Sequence, residues 1–466
     1  MARTAVHYLE LGEVARRIRS REISPVALAE AMLRRIERHD RKLRAYATVT
    51  AELALAQAGK AEAEIAKGRI RGPLHGVPIA VKDLCYTRGI VTAAGMPLNA
   101  RFKPRHDATV VKRLRDAGAV LLGKLQMTEG AFAEHHPDIP APRNPWNGAH
   151  WTGVSSSGSG VATAAGLCYA SLGSDTGGSI RFPSAANGLT GLKPTWGRVS
   201  RYGVFDLAPS LDHVGPMCRS AADCAAILGA IAGPDPNDPT AAPLPVPNYL
   251  AGLERPIRGL RIGIDSAYNA KGVDTEMRRT AKDAAAVFKA LGADLRRVSF
   301  PDVEAVTREW MAHCGVETAL AHEATYPSRK AAYGPALAGL IELGRGLSAM
   351  DYQRLRLTRQ NFNGALARMF DDIDLLLIPA QWRASPTLDE IQALRRNQKG
   401  RPSLMRFSAP FDYSGSPALT LPSGFTPAGM PIAIQLVGRH FEEDVVLRAG
   451  HAFQRETDWH RTHPKI

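Results

Sequence analysis

Two loops of small residues, separated by an apolar run, dominate residues 153–183 of this 466-residue chain (GVSSSGSGVATAAGLCYASLGSDTGGSIRFP). The first loop is SSSGSG at residues 155–160, and the second is DTGGS at residues 175–179. Glycine turns freely and lets another backbone or a ligand approach closely. A flexible Gly/Ser linker is the alternative for the first loop, but the apolar residues 161–165 that follow it are typical of a packed helix. The segment therefore predicts tight loops held on a buried scaffold.

The second loop has the composition of a nucleophile site. Ser179 would need a positioned base to attack, and acyl transfer also needs donors directed at the oxyanion that forms. The glycines allow the backbone N–H groups of Thr176, Gly177, Gly178 and Ser179 to converge on one point. Residues 180–182 then lead away, into a helix whose N-terminal dipole would add to this potential. An ordinary glycine-rich turn is the alternative if DTGGS is considered alone.

A lysine inside an apolar segment is the candidate base. Lys82 follows residues 77–81 (VPIAV), which predict a buried strand. A lysine base must be neutral, and near neutral pH this requires a pKa about 3 units below the reference value of about 10.4, or roughly 4 kcal/mol. Burial or a neighbouring cation lowers a lysine pKa by such amounts. The alternative is an ion pair between Lys82 and the adjacent Asp83 at the strand end.

Together these motifs resemble the amidase signature family, which hydrolyses amide bonds with a Ser-Ser-Lys triad. The resemblance implies that Ser179 is the nucleophile, Lys82 the base and Ser155 the serine that passes the proton between them. In the family this serine stands 24 residues before the nucleophile, and Ser155 has that spacing from Ser179. A hydroxyl can donate and accept at once, as the relay requires. The resemblance also implies a cis peptide bond directly before Ser155, which is rare outside proline.

The resemblance covers nearly the whole chain. Further matching segments lie at residues 188–203, 210–216, 407–412, 415–422 and 431–438. Two departures are visible. Many members carry GGSSGGS where residues 153–159 are GVSSSGS, and many carry Asn where this chain has Asp412. Neither departure removes a catalytic group, but both alter the surroundings of the site.

Two charged residues flank the predicted oxyanion loop of residues 176–179. We expect Asp175 and Arg181 to hold the loop, either as a buried ion pair or by hydrogen bonds to its backbone. Removing one partner of a buried pair costs roughly 3–5 kcal/mol, so both residues are predicted to matter structurally.

The function that the resemblance implies is that of a free-standing amidase acting on small, uncharged aryl or aliphatic linear amides. Ser179 would form an acyl-enzyme, the amine would leave, and water would complete hydrolysis. The alternative within the family is the A subunit of a tRNA-dependent amidotransferase, which frees ammonia from glutamine. Such a site needs an anion and a cation for the α-amino and α-carboxylate groups of glutamine, and Arg359 and Asp412 are candidates.

Two other classes fit less well. A non-catalytic binding protein of the same fold would not need the intact set of Lys82, Ser155 and Ser179. A Ser-Lys hydrolase of the penicillin-binding type would carry Ser-x-x-Lys, but Phe182 stands three residues after Ser179.

The loops expected to line the pocket are apolar and aromatic, which favours uncharged ligands. They are residues 126–151 and the helical region near Trp310 and Met311. Residues 206–209 (DLAP) also look more like those of free-standing amidases than those of amidotransferase subunits. The predicted wall residues of the first loop are Met127, Phe132, Trp146 and Trp151.

Strands that alternate with helices predict an α/β fold, which we place in a single large domain over residues 1–466, with a mixed central sheet flanked by helices. The Pro- and Asp-rich connector at residues 234–247 is the candidate internal boundary. Predicted helices lie at residues 10–20, 25–39, 51–68, 107–117, 274–291, 350–370 and 442–456. Predicted strands lie at residues 77–82, 119–122, 260–264, 293–299 and 375–378, with a hairpin-like pair around 418–437.

The net charge of +14 raises the question of a nucleic-acid partner. The arginines are spread over amphipathic helices, without interleaved aromatic residues or a DNA- or RNA-binding motif, so we predict no such partner. A basic surface of this kind can still steer anionic ligands. A small-molecule amide is the expected partner, and a homodimer is left open.

The remaining signals predict a cytoplasmic protein without a cofactor. The five cysteines show no metal spacing, and their odd number argues against a disulfide framework. We expect no signal peptide, because the N-terminus is charged, and no membrane helix, because residues 150–174 are too rich in Gly and Ser. Residues 118–125 (GAVLLGKL) lack the hydroxyl of a P-loop. Residues 134–136 (EHH) lack a third metal ligand at helical spacing.

Overall fold

A single mixed sheet organises the molecule. The computed structural model describes residues 5–397 and 404–466, so the predicted domain of residues 1–466 includes two short stretches outside the described residues. Eleven strands of the described part form this sheet, in the order β1-β3-β2-β4-β6-β5-β10-β11-β9-β7-β8. Their bounds are β1 Tyr46–Val49, β2 Pro78–Lys82, β3 Val120–Leu125, β4 Ser171–Asp175, β5 Thr190–Lys193, β6 His213–Cys218, β7 Arg261–Ile264, β8 Asp294–Arg297, β9 Leu375–Pro379, β10 Ala418–Phe425 and β11 Pro431–Gly438.

The sheet is parallel near its two ends and antiparallel in its middle. Strands β3, β2 and β4 run parallel, as do β9, β7 and β8. The strands from β4 through β6, β5, β10 and β11 to β9 pair antiparallel, and β1 adds an antiparallel edge. The predicted α/β class with a mixed central sheet is confirmed.

Helices cover the sheet. Their bounds are α1 Leu11–Arg19, α2 Pro25–Leu43, α3 Ala51–Ala66, α4 Thr109–Asp116, α5 Ser157–Ala164, α6 Arg181–Asn187, α7 Ala221–Ile231, α8 Ser266–Ala270, α9 Thr275–Ala290, α10 Glu304–Ala321, α11 Pro335–Arg345, α12 Ala349–Met369, α13 Leu388–Arg396, α14 Ala409–Ser414 and α15 Glu443–Glu456. Every residue of β2, β3, β4, β5, β6, β9 and β11 is buried, so the core lies on both faces of the sheet. None of the helices in the described part is both long and apolar enough to cross a bilayer.

The first small-residue loop is shorter than predicted, because α5 begins at Ser157. Small residues are needed there for a packing reason. A Cβ on Gly158 would lie 2.5 Å from the carbonyl oxygen of Gln126, and the Gly158 N–H donates to that same oxygen at 2.9 Å. The start of α5 is therefore pressed against the end of β3, and a larger side chain would separate the two.

The strands on either side of the Pro-rich connector at residues 234–247 lie in one sheet. Strand β5, which precedes the connector in the chain, pairs with β10, which follows it. The connector is also fixed to the body of the protein by buried carboxylates. Asp235 accepts a hydrogen bond from the Ser200 hydroxyl at 2.6 Å, and Asp238 accepts one from the backbone N–H of Arg201 at 2.7 Å.

Candidate active site

The candidate catalytic residues meet at one edge of the sheet. Lys82 is the last residue of β2, and Asp175 is the last residue of its parallel neighbour β4. Parallel strands place their carboxyl ends together, which is where open α/β sheets form ligand sites. Ser155 lies two residues before the start of α5, and Ser179 lies in the turn between β4 and α6.

Lys82 is fully buried and surrounded by hydroxyl groups. Its Nζ lies 2.6 Å from Ser155 Oγ and 2.8 Å from Ser174 Oγ. Burial lowers the pKa of Lys82 to about 7, because it removes water from the ammonium. The predicted alternative, an ion pair with Asp83, is not what the structure shows: the Asp83 carboxylate lies 3.2 Å from the Nζ of Lys124 instead.

Ser174 was not singled out by the sequence. It belongs to β4, one residue before Asp175, and its hydroxyl gives Lys82 a second neutral partner. The only signal in the sequence is its place directly before the DTGGS loop. A serine inside a buried strand has no distinguishing pattern until the register of β2 against β4 is known.

Ser155 is held in place by its backbone as well as by Lys82. The peptide bond between Val154 and Ser155 is cis, which confirms what the resemblance implied. The carbonyl oxygen of Ser155 accepts a hydrogen bond from the Thr128 N–H at 3.2 Å. The next residue, Ser156, connects the loop to β4: its hydroxyl donates to the carbonyl oxygen of Ser174 and accepts from the Ser174 N–H, both at 3.2 Å.

Ser179 is partly exposed, whereas Lys82 and Ser155 are buried. Among the described residues, the Ser179 hydroxyl makes no hydrogen bond, so the structure contains the contact between Lys82 and Ser155 but not the one between Ser155 and Ser179. Catalytic hydrogen bonds are often long or open without substrate and tighten when it binds. The nucleophile role of Ser179 therefore remains a prediction.

The loop before Ser179 has two glycines that packing requires. A Cβ on Gly177 would lie 2.6 Å from both Trp310 and Met405, and a Cβ on Gly178 would overlap the ring of Phe182. Gly178 also has a φ of +128°, a conformation that favours glycine.

Of the four backbone donors predicted to converge, one is already engaged. The Gly178 N–H donates to the Asp175 carboxylate at 2.5 Å. Within the described residues, the N–H groups of Thr176, Gly177 and Ser179 donate no hydrogen bond. Their role as oxyanion donors stays a prediction.

Asp175 and Arg181 form the predicted buried ion pair, and neither side chain is exposed. Arg181 Nε donates to Asp175 Oδ2 at 2.9 Å and Arg181 Nη2 to Oδ1 at 3.0 Å. The same carboxylate accepts the backbone N–H of Ile180 at 3.0 Å. Burial by itself raises the pKa of Asp175, but the charge and hydrogen bonds of Arg181 outweigh it and hold that pKa well below its usual range. The pair fixes both ends of the turn that carries Ser179.

Thr176 is fixed separately. Its hydroxyl donates to Asp212 Oδ1 at 2.6 Å, and its carbonyl oxygen accepts from the indole N–H of Trp310 at 3.0 Å. Asp212 lies within a segment that resembled the family, but the sequence gave it no role. Trp310 lies beside Gly177, and its place in a substrate pocket stays a prediction.

The other predicted wall residues divide between two places. Trp151 packs against Phe182, with ring centroids 5.6 Å apart, and so lies beside the loop of Ser179. Trp146 packs instead against Phe425, with centroids 5.2 Å apart, and its indole N–H donates to the carbonyl of Asn187. Met127 and Phe132 are buried in the main core.

The two candidate residues for binding glutamine, Arg359 and Asp412, form hydrogen bonds with other groups of the protein. Arg359 donates to the carbonyl oxygens of Tyr413 at 2.7 Å and Ser210 at 2.9 Å. Asp412 is fully buried and accepts from Arg181 at 2.6 Å. Each of these two side chains is thus engaged by internal hydrogen bonds.

Comparison with known proteins gives a consistent result. The model of the Amidase family matches residues 27–447. The "Putative amidase AmiD" of Mycobacterium tuberculosis (strain ATCC 25618 / H37Rv) is 48% identical over 462 residues, covering 99% of this chain and 97% of that protein. The A subunit of the glutamyl-tRNA(Gln) amidotransferase of Geobacter sp. (strain M21) is 38% identical over 488 residues, covering 97% of this chain and 98% of that protein.

Solved structures agree with the sequence relatives. The peptide amidase PAM in complex with the competitive inhibitor chymostatin has a TM-score of 0.85 at 30% identity, covering 98% of this chain and 99% of the other. The 6-aminohexanoate cyclic dimer hydrolase has a TM-score of 0.89 at 28% identity, covering 99% of both chains.

Proposed function

The chain belongs to the amidase family, and on that premise we propose that it hydrolyses the C–N bonds of small uncharged amides through an acyl-enzyme on Ser179. The observation that carries this proposal is the environment of Lys82. Its Nζ is buried, lies 2.6 Å from Ser155 Oγ, and within the described residues has no carboxylate at ion-pair distance. A lysine in that setting can be neutral near pH 7, which is the state a general base requires.

The proposed proton path runs in both directions. In acylation, Lys82 takes the proton of Ser155 as Ser155 takes that of Ser179, and Ser179 Oγ attacks the amide carbon. The oxyanion would be bound by the free N–H groups of the loop. The proton then returns along the same path to the departing amine, and the C–N bond breaks. Water attacks the acyl-enzyme in the second half of the cycle and loses its proton to the same relay.

The walls around the loop favour an apolar substrate. Trp310, Met405 and Phe182 contact the positions of Gly177 and Gly178, and Trp151 extends the aromatic surface from Phe182. Apolar walls with a few polar groups bind uncharged ligands, so aryl and aliphatic amides are the proposed substrates. The reaction as proposed uses no metal and no organic cofactor, since the lysine relay is the base and backbone donors stabilise the oxyanion.

The second candidate is the glutaminase activity of an amidotransferase A subunit. The 38% identity to the Geobacter protein favours it. The engagement of Arg359 and Asp412 by internal partners argues against it, because neither is placed to hold the charged groups of free glutamine. The likeness to a cyclic dimer hydrolase also places cyclic amides beside linear ones as substrates to be tested.

The test is a substrate panel on the purified chain, with and without added amidotransferase partner subunits. It contains aryl, aliphatic, amino-acid and cyclic amides, and glutamine. We expect aryl or aliphatic amides to be turned over by the chain alone, and S179A to abolish turnover, while S328A, which changes an exposed serine, retains it. Glutamine turnover that exceeds aryl-amide turnover, or rises sharply with the partner subunits, would support the second candidate instead.

A further inference from the structure

A second carboxyl group lies behind the ion pair that holds the Ser179 turn. Asp412, in α14, is fully buried. Its Oδ2 accepts from Arg181 Nη2 at 2.6 Å, and the same Nη2 donates to Asp175 Oδ1 at 3.0 Å. Two buried carboxyl groups therefore converge on one NH₂ group of one arginine.

Every N–H group of the Arg181 side chain already has an acceptor. Its five N–H groups are directed at the two oxygens of Asp175, at Asp412, at the carbonyl oxygen of Ser408 at 3.0 Å and at Gln435 Oε1 at 3.4 Å. A guanidinium has five N–H donors in total. Arg181 can therefore offer Asp412 a single hydrogen bond and compensate fully only one of the two carboxylates.

No other cation neutralises Asp412 within the described residues. Its Oδ1 has no hydrogen-bond partner there. Lys193, at the end of β5, donates to the carbonyl oxygen of Pro194 at 3.2 Å. His213 Nδ1, in β6, is 3.7 Å from Asp412 Oδ1, but it lies closer to the carbonyl oxygen of Leu211, at 2.7 Å.

The charged and titratable groups that face Asp412 come from six elements: Asp175 of β4, Arg181 of α6, Lys193 of β5, His213 of β6, Cys314 of α10 and Arg359 of α12. Burial raises the pKa of Asp412 well above its ordinary value, and the like charge of Asp175 acts in the same direction, against Arg181 and Lys193. Burial also lowers the pKa of Lys193 to about 7 and holds that of His213 well below its usual value. An ionised Asp412 would leave one buried oxygen, Oδ1, without a hydrogen bond, which is costly.

We propose that Asp412 is a positioning residue that works as an uncharged carboxylic acid: it accepts from Arg181 with one oxygen and offers its proton to the Asp175 carboxylate. In that state Asp175 and Arg181 form the ion pair of the cluster, and their pairing fixes the turn of Ser179. Asparagine has the same shape and also combines an acceptor oxygen with a donor. It should therefore replace this acid, whereas a purely apolar side chain should not.

The activity arm of the test rests on the proposed amidase function. It compares kcat and KM of D412N and D412L with those of the wild-type chain. We expect D412N to keep kcat within about 3-fold. D412L should lower kcat roughly 10- to 100-fold with a smaller change in KM, because a donor of Arg181 loses its acceptor and the loop is no longer fixed. Equal losses in D412N and D412L would overturn the proposal, since they would show that a charged carboxylate is required.

The unfolding arm is independent of any substrate. An unfolded Asp has a pKa of about 3.9, so between that value and its raised folded value Asp412 takes up a proton on folding. The native state then binds more protons than the unfolded state, and Asp412 lowers the stability of the wild type increasingly as pH rises.

We therefore expect the denaturation midpoint of D412N to exceed that of the wild type by a margin that grows from pH 5 to pH 8. The matched control D283N changes an exposed aspartate and should show no growing margin. A constant or shrinking margin for D412N would overturn the proposal. If no amide is turned over but the margin grows, the proposed function fails while the uncharged state of Asp412 stands.

Discussion

Two buried lysines lie on adjacent strands of the same sheet, and only one of them has a carboxylate. Lys82 ends β2 and Lys124 lies one residue before the end of β3. Both are fully buried. Lys124 Nζ lies 3.2 Å from Asp83 and donates to the Thr92 hydroxyl at 2.7 Å, whereas Lys82 has the hydroxyls of Ser155 and Ser174.

The difference shows what separates a structural lysine from a candidate base. Burial lowers the pKa of both side chains, but for Lys124 the Asp83 carboxylate opposes the shift. Hydroxyl partners accept a hydrogen bond without providing a negative charge, so they position Lys82 without holding its proton. The protein thus uses Asp83, the residue adjacent to Lys82, to pair with the other lysine.

The largest expected effect comes from removing the unpaired lysine. K82A should lower kcat/KM by about 10³-fold or more, because a serine hydroxyl without its base is a poor nucleophile. The unfolding midpoint should fall little, since no buried carboxylate loses a partner. Amide hydrolysis followed with the best substrate of the panel, together with thermal unfolding, provides the measurement. A fully active K82A would contradict the role of Lys82.

Arg181, like Lys124, is a buried cation paired with a carboxylate. We expect its loss to lower both the stability of the fold and the activity. R181A leaves the buried carboxylate of Asp175 without its partner, which costs about 3–5 kcal/mol of folding free energy. The turn of Ser179 should also lose its anchor, so turnover should fall in protein that remains folded. Denaturant titration and kcat at a temperature well below unfolding test the two effects. If R181A kept both its stability and its rate, the loop would not depend on this pair.

K124M removes the buried lysine that is paired with a carboxylate, so its effects can be compared with those of K82A. Asp83 would remain buried and uncompensated, and we expect a loss of stability of about 3–5 kcal/mol. The rate per folded molecule should change far less than in K82A. Chemical denaturation and active-site titration of the soluble fraction measure these quantities. The reverse outcome, in which K124M is stable but inactive, would assign the base to Lys124.

The smallest expected effect is that of a chelator. The proposed base is Lys82 and the proposed oxyanion donors are backbone N–H groups of residues 176–179, so neither chemistry depends on a metal. Dialysis against EDTA should leave kcat unchanged. Loss of activity that one added metal restores would show that the site is incomplete as described.

The sequence predicts best those helices and strands whose residues show a clear local pattern, such as an apolar run. The apolar run at residues 375–378 predicted β9, and the helix predicted from residue 25 begins where α2 does, after Ser24, whose hydroxyl accepts from the Ala27 N–H. Strands β4 (SLGSD) and β5 (TGLK) were not predicted. Both are buried at the centre of the sheet, but their small and polar residues lack the pattern of a strand.

The residues of the candidate site also divide into those that a local pattern predicts and those that it does not. The spacing of Ser155 and Ser179 and the apolar setting of Lys82 are local features, and they identified the three residues through the resemblance. Ser174, Asp212 and the pairing of Lys124 with Asp83 depend on which strands are neighbours, which a single sequence does not contain.

Labelling with a fluorophosphonate as a function of pH shows whether a neutral Lys82 activates Ser179 through Ser155. Mass spectrometry should locate the adduct on Ser179. The labelling rate of the wild type should rise with pH through about 7, where half of the Lys82 side chains have lost their proton, and level off above it, because only the neutral amine can act as the base. K82M should label slowly and without this rise. An adduct on another residue, or a wild-type rate that does not change from acid to neutral pH, would contradict the account.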